Sequence, residues 1–130
     1  MNGTRVQEAV EKKQSGTCNC AQAVACTYCD FAGVDEQTIH AAGQAFGSGF
    51  GNMEGTCGAI SGAALVLGLR NKDRAKSMND VRSVMNKFKE RNSTTVCKEL
   101  KGVGTGKVLR GCNDCVADAA EFLEEILKND

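Results

Sequence analysis

No stretch of this sequence is long and apolar enough to span a membrane, and proline and tryptophan are both absent. The most apolar window, Ala59 to Leu69, is well short of the about 20 residues that cross a bilayer as a helix. Polar and charged residues follow Met1 closely, so we expect no secretory signal. These absences predict a cytoplasmic protein without a membrane partner.

The chain also lacks an excess of charge of either sign, because 16 basic residues balance 16 acidic ones. Proteins that bind nucleic acid electrostatically generally carry a basic face or segment. We therefore expect no nucleic-acid partner. Histidine occurs only once, and we expect His40 to be an ordinary helix residue, which leaves a cysteine–histidine nucleophile pair without support.

Helical spacing of apolar residues recurs along the sequence, whereas the alternation typical of strands does not. No linker or repeat divides the chain, so residues 1–130 are expected to form a single all-α domain of about six or seven helices. The segment from Cys57 to Leu69 is apolar nearly all round, which predicts a buried central helix near residues 57–70. Its small residues would also suit a homodimer, although a neighbour within the chain is the default.

Local signals predict several helix boundaries. Thr4 and Gln7 have the spacing of a capping box at the start of the first helix. A second helix is expected from about Cys20 to Phe31. Thr56 is expected to cap the central helix. Acidic residues are expected on the outer face of the last helix, and they are Asp118, Glu121, Glu124 and Glu125.

Cysteine is the residue type that stands out, with eight copies. In a chain that can form its own core and shows no sign of export, this number favours metal ligation or redox chemistry over structural disulfides. Free N–H groups and the helix dipole at a helix N-terminus favour the thiolate, which is the form that attacks disulfides and binds metals. Five cysteines lie at expected helix starts, namely Cys20, Cys57, Cys97, Cys112 and Cys115. If these starts converge, they would form a pocket of activated sulfurs.

The cysteines also form two Cys-x-x-Cys pairs, Cys26–Cys29 and Cys112–Cys115. The second pair lies at an expected helix start and suits a redox or ligand pair. The first lies inside an expected helix, where packed thiols are the simpler interpretation. Cys18 is either an accessory ligand or an exposed loop thiol. A zinc ribbon is not favoured, because the two pairs are far apart in the sequence.

Four stretches of the chain resemble the C_GCAxxG_C_C family, which is named for its cysteine signature. They are Asn19–Val24, Thr56–Ala63, Val96–Leu100 and the segment from Cys112 to Glu121. The resemblance implies that Cys20, Cys57, Cys97 and Cys112 are the signature cysteines, and that Cys18, Cys26, Cys29 and Cys115 are additions of this chain. It further implies a redox role with a connection to iron–sulfur binding, and it names no substrate.

Three functions remain open at this point. The first is thiol–disulfide redox chemistry, with an unknown redox partner and with Cys115 as a resolving thiol for the four signature cysteines. The second is an iron–sulfur cluster or zinc held by Cys20, Cys57, Cys97 and Cys112. The third is a structural or interaction protein with inert thiols.

Overall fold

Eight α-helices make up most of the chain in the computed structural model, which describes residues 4–129, and no β-strand forms there. The helices are α1 (Val6–Gln14), α2 (Cys20–Thr27), α3 (Cys29–Ala32), α4 (Glu36–Ala42), α5 (Gly58–Asn71), α6 (Arg74–Asn92), α7 (Cys97–Leu100) and α8 (Cys112–Asn129). A 3₁₀ turn and a π-helical turn separate α4 from α5. The all-α prediction is confirmed. None of the described helices is long and apolar enough to cross a membrane.

Helix α5 is the centre of the fold, as the sequence predicts. It packs against α2, α3, α6 and α8, and half of its residues are buried. Its small residues face a neighbour within the chain, because a Cβ atom added at Gly62 would lie 2.3 Å from the carbonyl oxygen of Ala21. This close approach brings α2 alongside α5 and places Cys20 next to Gly58.

A complete capping box marks the start of α2 at Cys20. The Asn19 side chain accepts a hydrogen bond of 2.8 Å from the backbone N–H of Gln22, and the Gln22 side chain accepts one of 2.9 Å from the backbone N–H of Asn19. The Asn19 side chain also donates to the carbonyl oxygens of Gly43 and Gln44. These bonds fix the position of Cys20 relative to the loop after α4.

The second helix ends earlier than the sequence predicts, at Thr27 and not at Phe31. Tyr28 leaves helical geometry, with φ −112° and ψ 22°, and α3 then begins at Cys29. Tyr28 is fully buried and its hydroxyl donates to Glu124 of α8. The Arg5 side chain donates a hydrogen bond of 3.0 Å to the carbonyl oxygen of Thr27. This bond satisfies a backbone group that the break in the helix leaves free. Tertiary contacts therefore override the local preference for one longer helix.

Two other expected caps are wrong. Cys57 itself is the N-cap of α5, because Thr56 pairs with Val96 in an isolated antiparallel bridge. At α1 the N-cap is Arg5, and it makes no side-chain capping bond. Two backbone hydrogen bonds flank the bridge. The N–H of Cys57 donates to the carbonyl oxygen of Thr95 (2.8 Å), and the N–H of Cys97 donates to that of Gly55 (3.0 Å). The starts of α5 and α7 therefore lie side by side.

A buried carboxylate joins α6, α8 and the segment between α7 and α8. Asp118 is 2% exposed and accepts hydrogen bonds from Arg91 (2.9 Å), from Asn92 (3.0 Å) and from two nitrogens of Arg110 (2.9 and 3.0 Å). Burial alone would raise the pKa of Asp118, but these partners outweigh it and hold that pKa below its ordinary value. The expectation that Asp118 and Glu124 lie on an outer face is wrong, since both are buried.

Candidate functional site

The five cysteines that the sequence places at helix starts come together in the structure. Cys20 begins α2, Cys57 caps α5, Cys97 begins α7, and Cys112 and Cys115 lie in the first turn of α8. Cys57 and Cys115 lie close enough to influence each other's pKa, and Cys20 lies close enough to Cys57 and Cys112 for their charges to act on it. We call these five residues the cysteine cluster.

The members of the cysteine cluster differ in their access to solvent. Cys20, Cys57, Cys97 and Cys115 are buried, with exposed fractions between 1% and 5%. Cys112 alone is half-buried. All five are free thiols in this structure. The cluster is therefore an enclosed group of sulfurs with one member at the surface.

Cys57 and Cys115 influence each other more strongly than the other members of the cysteine cluster do. Interaction with the Cys115 side chain is the main influence that lowers the pKa of Cys57 to about 7. The backbone N–H groups of Ala59 and Ile60 act in the same direction, and burial opposes them. The interaction with Cys57, together with burial, raises the pKa of Cys115, whose thiol donates a hydrogen bond of 3.8 Å to the carbonyl oxygen of Arg110. The pKa values of the two thiols are therefore shifted in opposite directions.

Cys20 behaves in the opposite way, although it too lies at a helix start. Burial raises the pKa of Cys20 to about 12, and the charges of Cys57 and Cys112 add to this effect. The difference follows from the partners of each sulfur. At Cys57 the interaction with Cys115 outweighs burial, whereas at Cys20 burial dominates and the Asn19 side chain accepts the bond from the Gln22 N–H. The sequence argument that every helix start activates its cysteine is wrong for Cys20.

A lysine completes the site, and the sequence analysis gave it no role. The Lys101 side chain lies close enough to Cys112 and Cys97 for these two residues to influence its pKa. Burial alone would lower the pKa of Lys101, but these two interactions outweigh it and raise that pKa. Its charge also acts to lower the pKa of both Cys57 and Cys20. The one sequence signal for this residue is its position four residues after Cys97, directly behind α7.

The cysteine cluster does not fit the iron–sulfur or zinc alternative in this arrangement. Within residues 4–129, no group of three or more histidine, cysteine, aspartate or glutamate side chains is placed to hold a metal ion. A structural zinc site or a cluster of the kind expected would need about four thiolates around one position.

The remaining three cysteines form a second group beside α2 and α3. Cys26 is buried and hydrogen-bonds with Cys18, while Cys18 and Cys29 are half-buried against the core. Burial raises the pKa of Cys26 to about 12 and also raises that of Cys29. Cys26 and Cys29 do not lie within one helix, because Tyr28 separates α2 from α3. The buried, protonated state of Cys26 agrees with its interpretation as a packed thiol.

Fold and site together define a small helical protein with five cysteines clustered at its helix starts. The chain belongs to the family described as "Putative redox-active protein (C_GCAxxG_C_C)", whose model matches residues 18–126. This match includes all eight cysteines and confirms the resemblance found in the sequence. No curated protein and no solved structure matches the chain.

Proposed function

We propose that this redox protein carries out thiol–disulfide exchange, with Cys57 and Cys115 as its reversible pair. The observation that carries the proposal is the interaction of the Cys57 and Cys115 side chains, which lowers the pKa of Cys57 and raises that of Cys115. Two buried sulfurs that interact in this way are the natural partners of a disulfide. A thiol whose pKa lies close to the surrounding pH is also the best attacking group in such an exchange, and the pKa of Cys57 is about 7.

The exchange balances without a metal. An external disulfide accepts two electrons and becomes two thiols, while the thiols of Cys57 and Cys115 lose two electrons and join as a disulfide. Cys57 reacts as the thiolate, so the proton of the Cys115 thiol passes to one departing thiolate and solvent supplies the proton for the other. The reverse reaction reduces the Cys57–Cys115 disulfide at the expense of two thiols of a redox partner. This chemistry makes the protein an oxidoreductase whose direction depends on the partner's potential.

Other members of the site support this pair. The Lys101 ammonium interacts with Cys112 and Cys97, and it favours negative charge on the enclosed sulfurs. Cys20 remains protonated beside Cys57, so it does not compete as a nucleophile while the pair is reduced. A reducing compartment keeps thiols such as these free, so we place the protein in the cytoplasm. The alternative of inert thiols does not account for a buried cysteine with a lowered pKa.

A pair of substitutions tests the proposed pair. Cys115→Ala removes the side-chain group that interacts with Cys57, whereas Cys115→Ser keeps a hydroxyl that can donate. A hydrogen bond to a charged group is worth about 1.5–3 kcal/mol, so we expect Cys115→Ala to raise the pKa of Cys57 by about one to two units. With Cys115→Ser the pKa should stay near that of the parent. The measurement is the pH titration of the ultraviolet thiolate absorbance, with the curve of the matching Cys57→Ser variant subtracted.

The circular dichroism of each variant shows whether the helices remain intact. A Cys57 that titrates at the ordinary cysteine pKa in the parent would overturn the proposal. So would a pKa that is the same in the parent and in Cys115→Ala, because Cys115 would then have no influence on Cys57.

A further inference from the structure

The cysteine cluster opens to the surface at one place, beside Cys112. A groove of about 490 Å³ lies between α1 and the start of α8, and Cys112 is part of its wall. The other four sulfurs of the cluster are buried, and none of them lines this groove. A molecule that exchanges with the cluster therefore meets Cys112 first.

The walls of the groove indicate what it would bind. The amide side chains of Gln7, Gln14 and Asn113 line it, together with the apolar side chain of Val10 and the acidic side chain of Asp114. Amide groups both donate and accept hydrogen bonds, so they suit the peptide groups of a ligand. The volume lies within the range of small-molecule sites, about 300–1,000 Å³. A groove of this volume is too small for a folded protein partner, but it is large enough for the disulfide of a tripeptide.

We infer that the groove beside Cys112 receives a small peptide disulfide, and that Cys112 is the residue that exchanges with it. The inference rests on the proposed function, because the Cys57–Cys115 pair is the internal destination of the exchange. The position of Cys112 in the wall of the groove, in the first turn of α8 with Cys115, supports exchange at this residue.

The exchange proceeds in three balanced steps. The Cys112 thiolate attacks one sulfur of the external disulfide, whose S–S bond breaks, and a first thiolate leaves. Cys115, three residues further along α8, passes its proton to the Cys57 thiolate and attacks the Cys112 sulfur, which releases the second thiolate. Cys57 then gives its proton to that thiolate and attacks the Cys115 sulfur. The products are a Cys57–Cys115 disulfide, a free Cys112 and two external thiols.

The test uses glutathione disulfide on the reduced full-length protein, followed by acid quenching and peptide mass mapping. We expect one glutathione adduct on Cys112 to accumulate in Cys115→Ser, which cannot resolve it. Cys112→Ser should slow oxidation of the Cys57–Cys115 pair by at least about tenfold. Cys18→Ser is the matched control, because Cys18 is also half-buried but belongs to the second group of cysteines. That variant should react like the parent.

Substitution of Val10 by tryptophan tests the groove itself. The larger side chain should slow the reaction of Cys112 with glutathione disulfide and leave its reaction with the smaller hydroxyethyl disulfide nearly unchanged. Equal slowing with both disulfides, or no slowing with either, would overturn the inference about the groove.

The two proposals fail in different ways. If Cys112→Ser forms the Cys57–Cys115 disulfide as fast as the parent, Cys112 is not the point of entry and the proposed pair stands. If the parent forms the Cys112 adduct but no Cys57–Cys115 disulfide, the proposed pair is wrong and the groove remains a binding site.

Discussion

Replacement of Gly62 by alanine is expected to destabilise the protein by about 2–3 kcal/mol. The added Cβ atom would lie 2.3 Å from the carbonyl oxygen of Ala21 and 3.0 Å from its carbonyl carbon and Cα atom. These are backbone atoms of α2, so they cannot move away without shifting the whole helix. The contact between α2 and α5 is central to the fold, and it also sets Cys20 beside the start of α5.

Gly68→Ala is the matched control, because Gly68 lies in the same helix and an added Cβ would meet nothing within 4 Å. Alanine is the better helix former, so we expect this variant to gain about 0.5–1 kcal/mol. Urea denaturation followed by circular dichroism gives both free energies of unfolding. If Gly62→Ala were as stable as Gly68→Ala, the close packing of α2 on α5 would be wrong.

Asp118→Asn is expected to lower the free energy of unfolding by about 2–3 kcal/mol near neutral pH. The change removes a buried negative charge from the two arginines that bind it, Arg91 and Arg110, and it places an amide where both carboxylate oxygens accept hydrogen bonds. Glu121→Gln is the matched control, because Glu121 binds the same Arg91 at 2.7 Å but is exposed. An exposed pair contributes about 0–1 kcal/mol, so this variant should be nearly as stable as the parent.

The effect of Asp118 should also depend on pH. Its pKa in the folded protein lies below the ordinary value, so its contribution is fully present above the unfolded pKa and is lost as the pH falls through the folded pKa. In the parent, stability should therefore fall more steeply below about pH 4 than it does in Asp118→Asn. Parallel acid-denaturation curves for the two proteins would contradict the role assigned to this carboxylate.

The architecture of this protein was largely predictable because its signals are local. Apolar residues at helical spacing predict the all-α class, and the apolar segment near residues 57–70 predicts the central helix. The caps and small residues around Cys20, Cys57 and Cys112 place them at helix starts. The prediction that these starts converge agrees with the structure, although nothing in the local sequence required it.

Features that depend on tertiary contacts could not be predicted in this way. The break of the second helix at Tyr28 depends on Glu124, which lies 96 residues away. The spacing of acidic residues in α8 resembles an exposed face, yet Asp118 and Glu124 are buried against partners from other parts of the chain. Lys101 was missed for the same reason, because only the fold brings it beside Cys112.

The reactivity of each cysteine depends on its partners more than on its place in a helix. Cys20 and Cys57 both lie at helix starts and both are buried, but their pKa values are about 12 and about 7. Interaction with Cys115 lowers the pKa of Cys57, and the backbone N–H groups of Ala59 and Ile60 act in the same direction, whereas burial dominates at Cys20. A helix N-terminus thus activates a buried cysteine only when its partners outweigh the cost of burial.

The disulfide that forms on mild oxidation tests the central proposal most directly. Reduced protein is equilibrated in a glutathione redox buffer, quenched with acid, alkylated and digested for peptide mass mapping. We expect a linked peptide that contains Cys57 and Cys115, its disappearance on reduction, and its absence from Cys57→Ser but not from Cys26→Ser. Linkage of Cys115 to other cysteines only, or eight thiols that all stay free under oxidising conditions, would contradict an exchange centred on Cys57 and Cys115.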